Sequence, residues 1–91
     1  MKFFDLSGRV AIVTGGNGGI GYAISEGLAG AGAAVAITGR NAAKGEAAAE
    51  QLRSAGARAI CVESDVADRD SNLRTVESVT GAFGDIAILV N

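Results

Sequence analysis

Proline, histidine and tryptophan are absent from these 91 residues, and cysteine and tyrosine occur once each. With no histidine and with Cys61 alone, an internal disulfide is excluded and a zinc or transition-metal site has no soft ligands to draw on. Cys61 lies in an apolar run, where a small buried hydrophobe is the expected role rather than a reactive thiol. No apolar run approaches the roughly 18 residues that a membrane-spanning helix needs. The opening Met1-Lys2-Phe3-Phe4-Asp5-Leu6 has no apolar core leading to a small-residue cleavage site. The expected setting is therefore cytoplasmic. Basic residues are short as well: eight Lys and Arg stand against ten Asp and Glu, for a net charge of −2. They are dispersed rather than gathered in a stripe, so nucleic acid is not an expected partner.

What is present is an apolar content of 48% and 14 glycines, the signature of a globular chain. Its length allows one modest core, burying about 60 to 65% of the unfolded surface. The hydrophobic period switches repeatedly between short runs and helical stripes. Residues 10–14, 34–38, 58–62 and 86–90 are apolar runs that read as strands buried on both faces. Between the first two, Ile20, Ala23, Ile24, Gly27, Leu28 and Ala31 fall on one helical face, with Gly32 placed to end the helix. A second helix starts near Asn41 as N-cap, turns Gly45, Ala48, Leu52 and Ala55 inward, and stops at Gly56. A third is capped by Asp68, packs Leu73, Val76, Val79, Thr80 and Phe83, and ends at Gly84. The order βαβαβαβ predicts an α/β fold, a doubly wound parallel sheet of Rossmann type covered by helices. The last strand reaches Asn91 with no helix after it, and so bare an edge implies a sheet that continues beyond this chain.

Five of the seven positions from Gly15 to Gly21 are glycine, and they lie between the first strand and the first helix. In a doubly wound sheet that turn meets ligand at the carboxyl ends of the strands. Glycines permit a tight turn and a close backbone approach to phosphate, and the helix N-terminus adds unpaired N–H groups and about half a positive charge. A phosphate loop of the G-x-x-x-x-G-K-[ST] type fails, because Tyr22 and Ala23 follow Gly21 where lysine and a hydroxyl residue are required. The dinucleotide pattern G-x-G-x-x-G is met by Gly16, Gly18 and Gly21, in the required strand–turn–helix context. A merely flexible connection needs one or two glycines, and each further one costs roughly 0.5–1 kcal/mol of entropy that a ligand must offset.

These residues resemble the short-chain dehydrogenase/reductase family. Its T-G-x-x-x-G-x-G pattern stands as Thr14-Gly15-Gly16-Asn17-Gly18-Gly19-Ile20-Gly21, after a family-like lead-in from Asp5 to Val13. Ser64-Asp65-Val66 is similar to the segment whose Asp bonds the adenine amino group, and Leu89-Val90-Asn91 to the start of the family's N-N-A-G segment. The resemblance spans the whole chain but only the cofactor half of such an enzyme. It makes residues 1–91 the N-terminal part of a single NAD(P)-binding Rossmann domain, and implies cofactor contacts from Gly15, Asn17, Gly18, Gly19, Ile20, Gly21, Asp65, Val66 and Asn91. The family's catalytic Ser, Tyr-x-x-x-Lys and helix Asn would lie beyond this chain: the single tyrosine, Tyr22, is followed four positions on by Glu26 rather than lysine. Association into dimers or tetramers is a further implication of the resemblance.

NAD-preferring folds carry an acid near the end of the second strand for the ribose diol. Here no acid occurs between Glu26 and Glu46, and Thr38-Gly39-Arg40-Asn41 follows instead. With Gly39 in the acid's place, Arg40 can fork onto a 2′-phosphate and stack on adenine. A plain solvated arginine ahead of a helix is the competing role, as a turn former is for Asp65 and a strand end for Asn91. The expected cofactor is NADP, with NAD left open. Two functions are consistent with these residues. One is an oxidoreductase moving hydride between nicotinamide and a small-molecule carbonyl or secondary alcohol, with a likeness to sugar-acid and polyol dehydrogenases. The other is a sensor or scaffold module that binds NADP without turnover.

Overall fold

A computed structural model describes residues 5–15, 18–65 and 67–91. Four strands, β1 (Val10–Thr14), β2 (Ala34–Gly39), β3 (Ala59–Glu63) and β4 (Ile88–Val90), alternate with three helices, α1 (Gly19–Gly30), α2 (Ala42–Ser54) and α3 (Arg69–Phe83). All three strand pairs are parallel, in the order β3-β2-β1-β4. The chain thus steps outward from β1 to β3 on one side, then crosses back to place β4 on the other side of β1. This is the predicted α/β, Rossmann-type doubly wound sheet.

The side-chain period of two divides the central strands between two cores. Val13, Val35 and Ile37 face α2, where Ala48, Ala49 and Leu52 meet them, with Leu28, Ala29 and Tyr22 of α1 packed alongside. Val10, Ile12 and Ala36 face the opposite way, onto Val79 and Phe83 of α3. β1 and β2 are buried on both faces, as their apolar runs require. β3 and β4 are only half-buried, a departure from the expectation for those two runs that follows from their places at the sheet's margins. Leu89 accordingly stays 63% exposed. No helix among the described residues is long and apolar enough to cross a membrane.

The helix stops fall where glycine was read. Gly32 N–H donates to Ala29 O (3.0 Å) and Ala33 N–H to Leu28 O (3.1 Å), the paired bonds of a Schellman closure, and Gly56 and Ala57 repeat them on Arg53 and Leu52. Asn41 Oδ1 accepts from Lys44 N–H, and Asp68 Oδ1 from Asp70 and Ser71 N–H. Arg53 ties α2 to the start of β3: Nη1 donates to Ala59 O (2.9 Å), while Nη2 meets Glu46 and Glu50. Hydrogen bonds to those two carboxylates raise the guanidinium pKa further above its ordinary value.

Two helical faces differ from the periodic reading. In α3 the buried residues are Ser71, Thr75 and Val79, while Leu73 and Val76 are exposed. In α1 only Ser25 is buried, and Ile20 is 80% exposed. The physical reason is common to both. Each buried hydroxyl has a partner, Ser25 Oγ on Gly21 O (3.0 Å) and Thr75 Oγ1 on Ser71 O (2.9 Å) within their own helices and Ser71 Oγ beside Ser64 Oγ (3.3 Å), so burying it leaves no unpaired group. These short side chains bring the helices close to the sheet.

α2 gains its close approach from Gly45, which is buried against Cys61: a Cβ there would overlap the cysteine sulfur. Cys61 is half-buried, and its S–H points to Ala42 O at 3.9 Å. Burial, then the nearby Glu46 and Glu63 charges, raise the thiol pKa, which keeps it protonated at neutral pH and suits a packing role. Gly45→Ala should therefore cost about 1–2 kcal/mol on urea unfolding, overpacking outweighing the better helix propensity of alanine. In a Cys61→Ala background the same change should be neutral or stabilising by up to about 1 kcal/mol. Equal effects in both backgrounds would remove the sulfur as the cause.

Candidate functional site

The parallel register levels the strand ends. Thr14 pairs with Thr38, Thr38 with Val62, Gly39 with Glu63, and Val13 with Val90. The residues that follow, Gly15, Arg40, Ser64, Asp65 and Asn91, therefore emerge along one edge. Two hydrogen bonds carry the sheet one step past its strands: Gly15 N–H to Thr38 O and Ser64 N–H to Gly39 O, both 2.8 Å. Thr14 Oγ1 donates to Val90 O (3.2 Å), fastening β1 to β4. Between those two strands the crossovers diverge, which is where an open α/β sheet receives its ligand.

At that point the chain turns into α1. Gly15 has φ +69° and Gly19 φ +56°, both in the left-handed region that favours glycine. Gly18, the N-cap, is extended at φ −175°, a conformation open to any residue. Among the described residues no side chain caps α1, and its first turn holds no acid, whereas α2 and α3 are capped by Asn41 and Asp68. The first intrahelical acceptor taken up is Gly18 O, by Tyr22 N–H at 3.2 Å. The N–H groups ahead of it project from the helix end beside the dipole's positive pole, a receptor for an anion. A Cβ built on Gly18 would meet nothing within 4 Å. Neither backbone conformation nor packing among the described residues requires a glycine there.

Two cavities open along the same edge. One of about 260 Å³ lies on the α3 side and is lined by Thr14, Thr38, Ser64, Thr75 and Leu89, with Asn91 at its rim. The other, about 390 Å³, is bounded by Arg40, Glu63, Asp65, Asp68, Ser71 and Arg74. Arg40 Nε stands 3.8 Å from Asp65 Oδ1, with side-chain exposures of 80% and 44%. Asp65 Oδ1 also accepts from Ala67 N–H (3.0 Å).

Of the residues singled out from sequence, Gly15, Gly18, Gly19, Ile20 and Gly21 thus sit at the mouth of α1. Arg40 and Asp65 line the second cavity and Asn91 the first, while Gly39 closes β2 just ahead of Arg40. Asn41 stands apart, its side-chain oxygen engaged in capping α2. Asn17 and Val66, with Gly16, lie outside the described residues. Thr14, Thr38, Ser64 and Ser71 line the cavities although sequence reasoning placed them only as strand, turn or helix residues. A threonine at the carboxyl end of each central strand was the available signal.

A family profile described as short chain dehydrogenase matches residues 9–91. The chain belongs to the short-chain dehydrogenase family. It is 55% identical over 83 residues to the uncharacterized oxidoreductase Rv0769 of Mycobacterium tuberculosis, covering 91% of this chain and 34% of that protein. It is 38% identical over 90 residues to the sorbose reductase SOU1 of Candida albicans (99% of this chain, 32% of that one). To the peroxisomal 2,4-dienoyl-CoA reductase of Arabidopsis thaliana it is 43% identical over 84 residues (92% and 28%). The chain spans about a third of the length of these curated relatives.

Membership brings a nicotinamide cofactor, and the two kinds of glycine at the turn are separable by it. Gly18→Ala should lower folding stability by no more than about 1 kcal/mol, the difference between glycine and alanine as N-cap, yet weaken dinucleotide binding at least tenfold. Gly19→Ala should in addition lose about 1–2 kcal/mol of stability through its positive φ. Thermal melts and dinucleotide titration of both variants decide this; unchanged affinity in Gly18→Ala removes the phosphate from that position.

Proposed function

We propose that this chain supplies the dinucleotide-binding part of a longer Rossmann domain in an oxidoreductase that prefers NADP. When bound, the nicotinamide cofactor supplies hydride exchange with a carbonyl or secondary alcohol. The chain's own residues bind and orient it. The opening N–H groups of α1, with Gly15, Gly18, Gly19, Ile20 and Gly21 around them, hold the pyrophosphate. Arg40 addresses the 2′-phosphate beside Gly39, where an NAD-preferring fold would present a carboxylate. Asp65 accepts from the adenine amino group, and Asn91, with the Thr14–Val90 bond behind it, bounds the crevice on the β4 side.

The observation that carries this reading is the start of α1 at the switch point of the sheet, acid-free in its first turn and without a side-chain cap among the described residues. The relatives support the division of labour. One is named for a sugar and another for a CoA thioester, yet each matches nearly the whole of this chain. A segment shared by enzymes of such different substrates is suited to the component they have in common. Substrate selection and proton transfer then fall to residues outside it.

The test is a titration of the protein with NADPH and NADH, followed by nicotinamide fluorescence. NADPH should bind more tightly, and Arg40→Ala should weaken NADPH by about tenfold or more, as loss of a charge-assisted bond worth about 1.5–3 kcal/mol requires. NADH should change by less than about threefold, because the diol makes no ionic contact with Arg40. Equal losses for the two dinucleotides would refute the 2′-phosphate contact. NADPH bound without oxidation across a panel of carbonyl substrates would favour the sensor module instead.

A further inference from the structure

We infer that Ser71, oriented by Ser64, is a positioning residue that sets adenine recognition by Asp65. The inference rests on the proposed adenine contact of Asp65. β3 ends at Glu63, and Ser64 N–H still finds a sheet acceptor in Gly39 O. Asp65 N–H does not, because β2 has itself ended at Gly39. Its acceptor comes from the helix instead: Ser71 Oγ, in the first turn of α3, takes that N–H at 3.0 Å. Ser71 Oγ is also 3.3 Å from Ser64 Oγ, and the two serines are 8% and 4% exposed. A buried pair of hydroxyls has few ways to arrange its protons. With Ser71 donating to Ser64, a Ser71 lone pair faces Asp65 N–H.

The clamp acts on the backbone of Asp65 and so on where its carboxylate stands. Oδ1 is occupied by Ala67 N–H and lies near Arg40 Nε. Among the described residues Oδ2 has no partner, which leaves it to accept from an amino group in the cavity. Without Ser71 Oγ, Asp65 N–H must seek water, and the Asp65 backbone loses the contact that fixes it beside α3. A displacement of well under 1 Å is enough to spoil a hydrogen bond that must fall within about 2.7–3.2 Å.

The experiment compares NADPH with its hypoxanthine analogue, reduced nicotinamide hypoxanthine dinucleotide phosphate, in which an oxo group replaces the adenine amino donor. Binding of each is measured for the wild-type protein, Ser71→Ala, Ser71→Thr and Ser64→Ala, with thermal melts alongside. Wild type should prefer the adenine form by about tenfold or more. Ser71→Ala should reduce that preference to threefold or less, Ser71→Thr should keep most of it, and Ser64→Ala should fall between. A folded Ser71→Ala protein that retains the full preference, or that weakens both ligands equally, overturns the positioning role. Should Ser71→Ala fail to fold, Ser64→Ala decides, and an undiminished preference there overturns the role. Absence of any adenine preference in wild type would instead refute the Asp65 contact itself while leaving the Arg40 and glycine contacts standing.

Discussion

The parallel ladder around β1 is the constraint on which the rest depends. Because β1 is paired on both sides, it fixes the heights of β2 and β4 directly and of β3 through β2. Three loops far apart in sequence, and Asn91 after β4, are thereby brought to one edge, and each can contribute a single residue or backbone group with little freedom of its own. Gly15 N–H and Ser64 N–H extend the ladder past the last strand residues, so the turn to α1 and the Asp65 segment leave from rigid supports. A site assembled in this way needs no long or mobile loop.

The same ladder explains why α1 differs from its neighbours. α2 and α3 begin with Asn41 and Asp68, whose carbonyl and carboxylate oxygens satisfy the first N–H groups. α1 begins from an extended glycine with nothing to offer. On stability alone that choice is unfavourable by a few tenths of a kcal/mol to about 1 kcal/mol compared with a good cap. Among the described residues, side-chain caps serve two helices and none serves the third, which lies at the switch point of the sheet; the proposed pyrophosphate contact gives those donors a partner.

The order and type of every element were legible in the sequence, because short apolar runs alternate with stripes of period 3.6 and because Gly32, Gly56, Gly84, Asn41 and Asp68 mark the ends chemically. Against the runs read at 34–38, 58–62 and 86–90, β2 extends one residue to Gly39, β3 lies one residue later so that Glu63 pairs with Gly39, and β4 begins two residues later at Ile88. Helix faces were less legible. Counting apolar positions chose Leu73 and Val76 for the inner side of α3, and Ile20 and Ile24 for that of α1, whereas Ser71, Thr75 and Ser25 lie inward. A hydroxyl that bonds to its own helix behaves as a small apolar group, and nothing in a one-dimensional pattern announces that it will. The glycine turn was legible as the passage from β1 into α1, yet the sequence could not separate Gly15 and Gly19, which have positive φ, from Gly18, which does not.

The charges at the edge follow from exposure. Arg40 and Asp65 are 3.8 Å apart and largely solvated, so their mutual attraction adds between 0 and about 1 kcal/mol to the fold and is readily exchanged. Asp68 is already committed to the start of α3, and Asp65 Oδ1 to Ala67 N–H. A phosphate bearing close to two charges competes well for a guanidinium held so loosely, particularly where planar bidentate contact is available. The carboxylate it displaces is not stranded, because Asp65 retains its backbone bond and its own opening onto the cavity. Weak pairing of Arg40 is therefore compatible with the proposed 2′-phosphate contact: it keeps the side chain near the edge without holding it from a better anion.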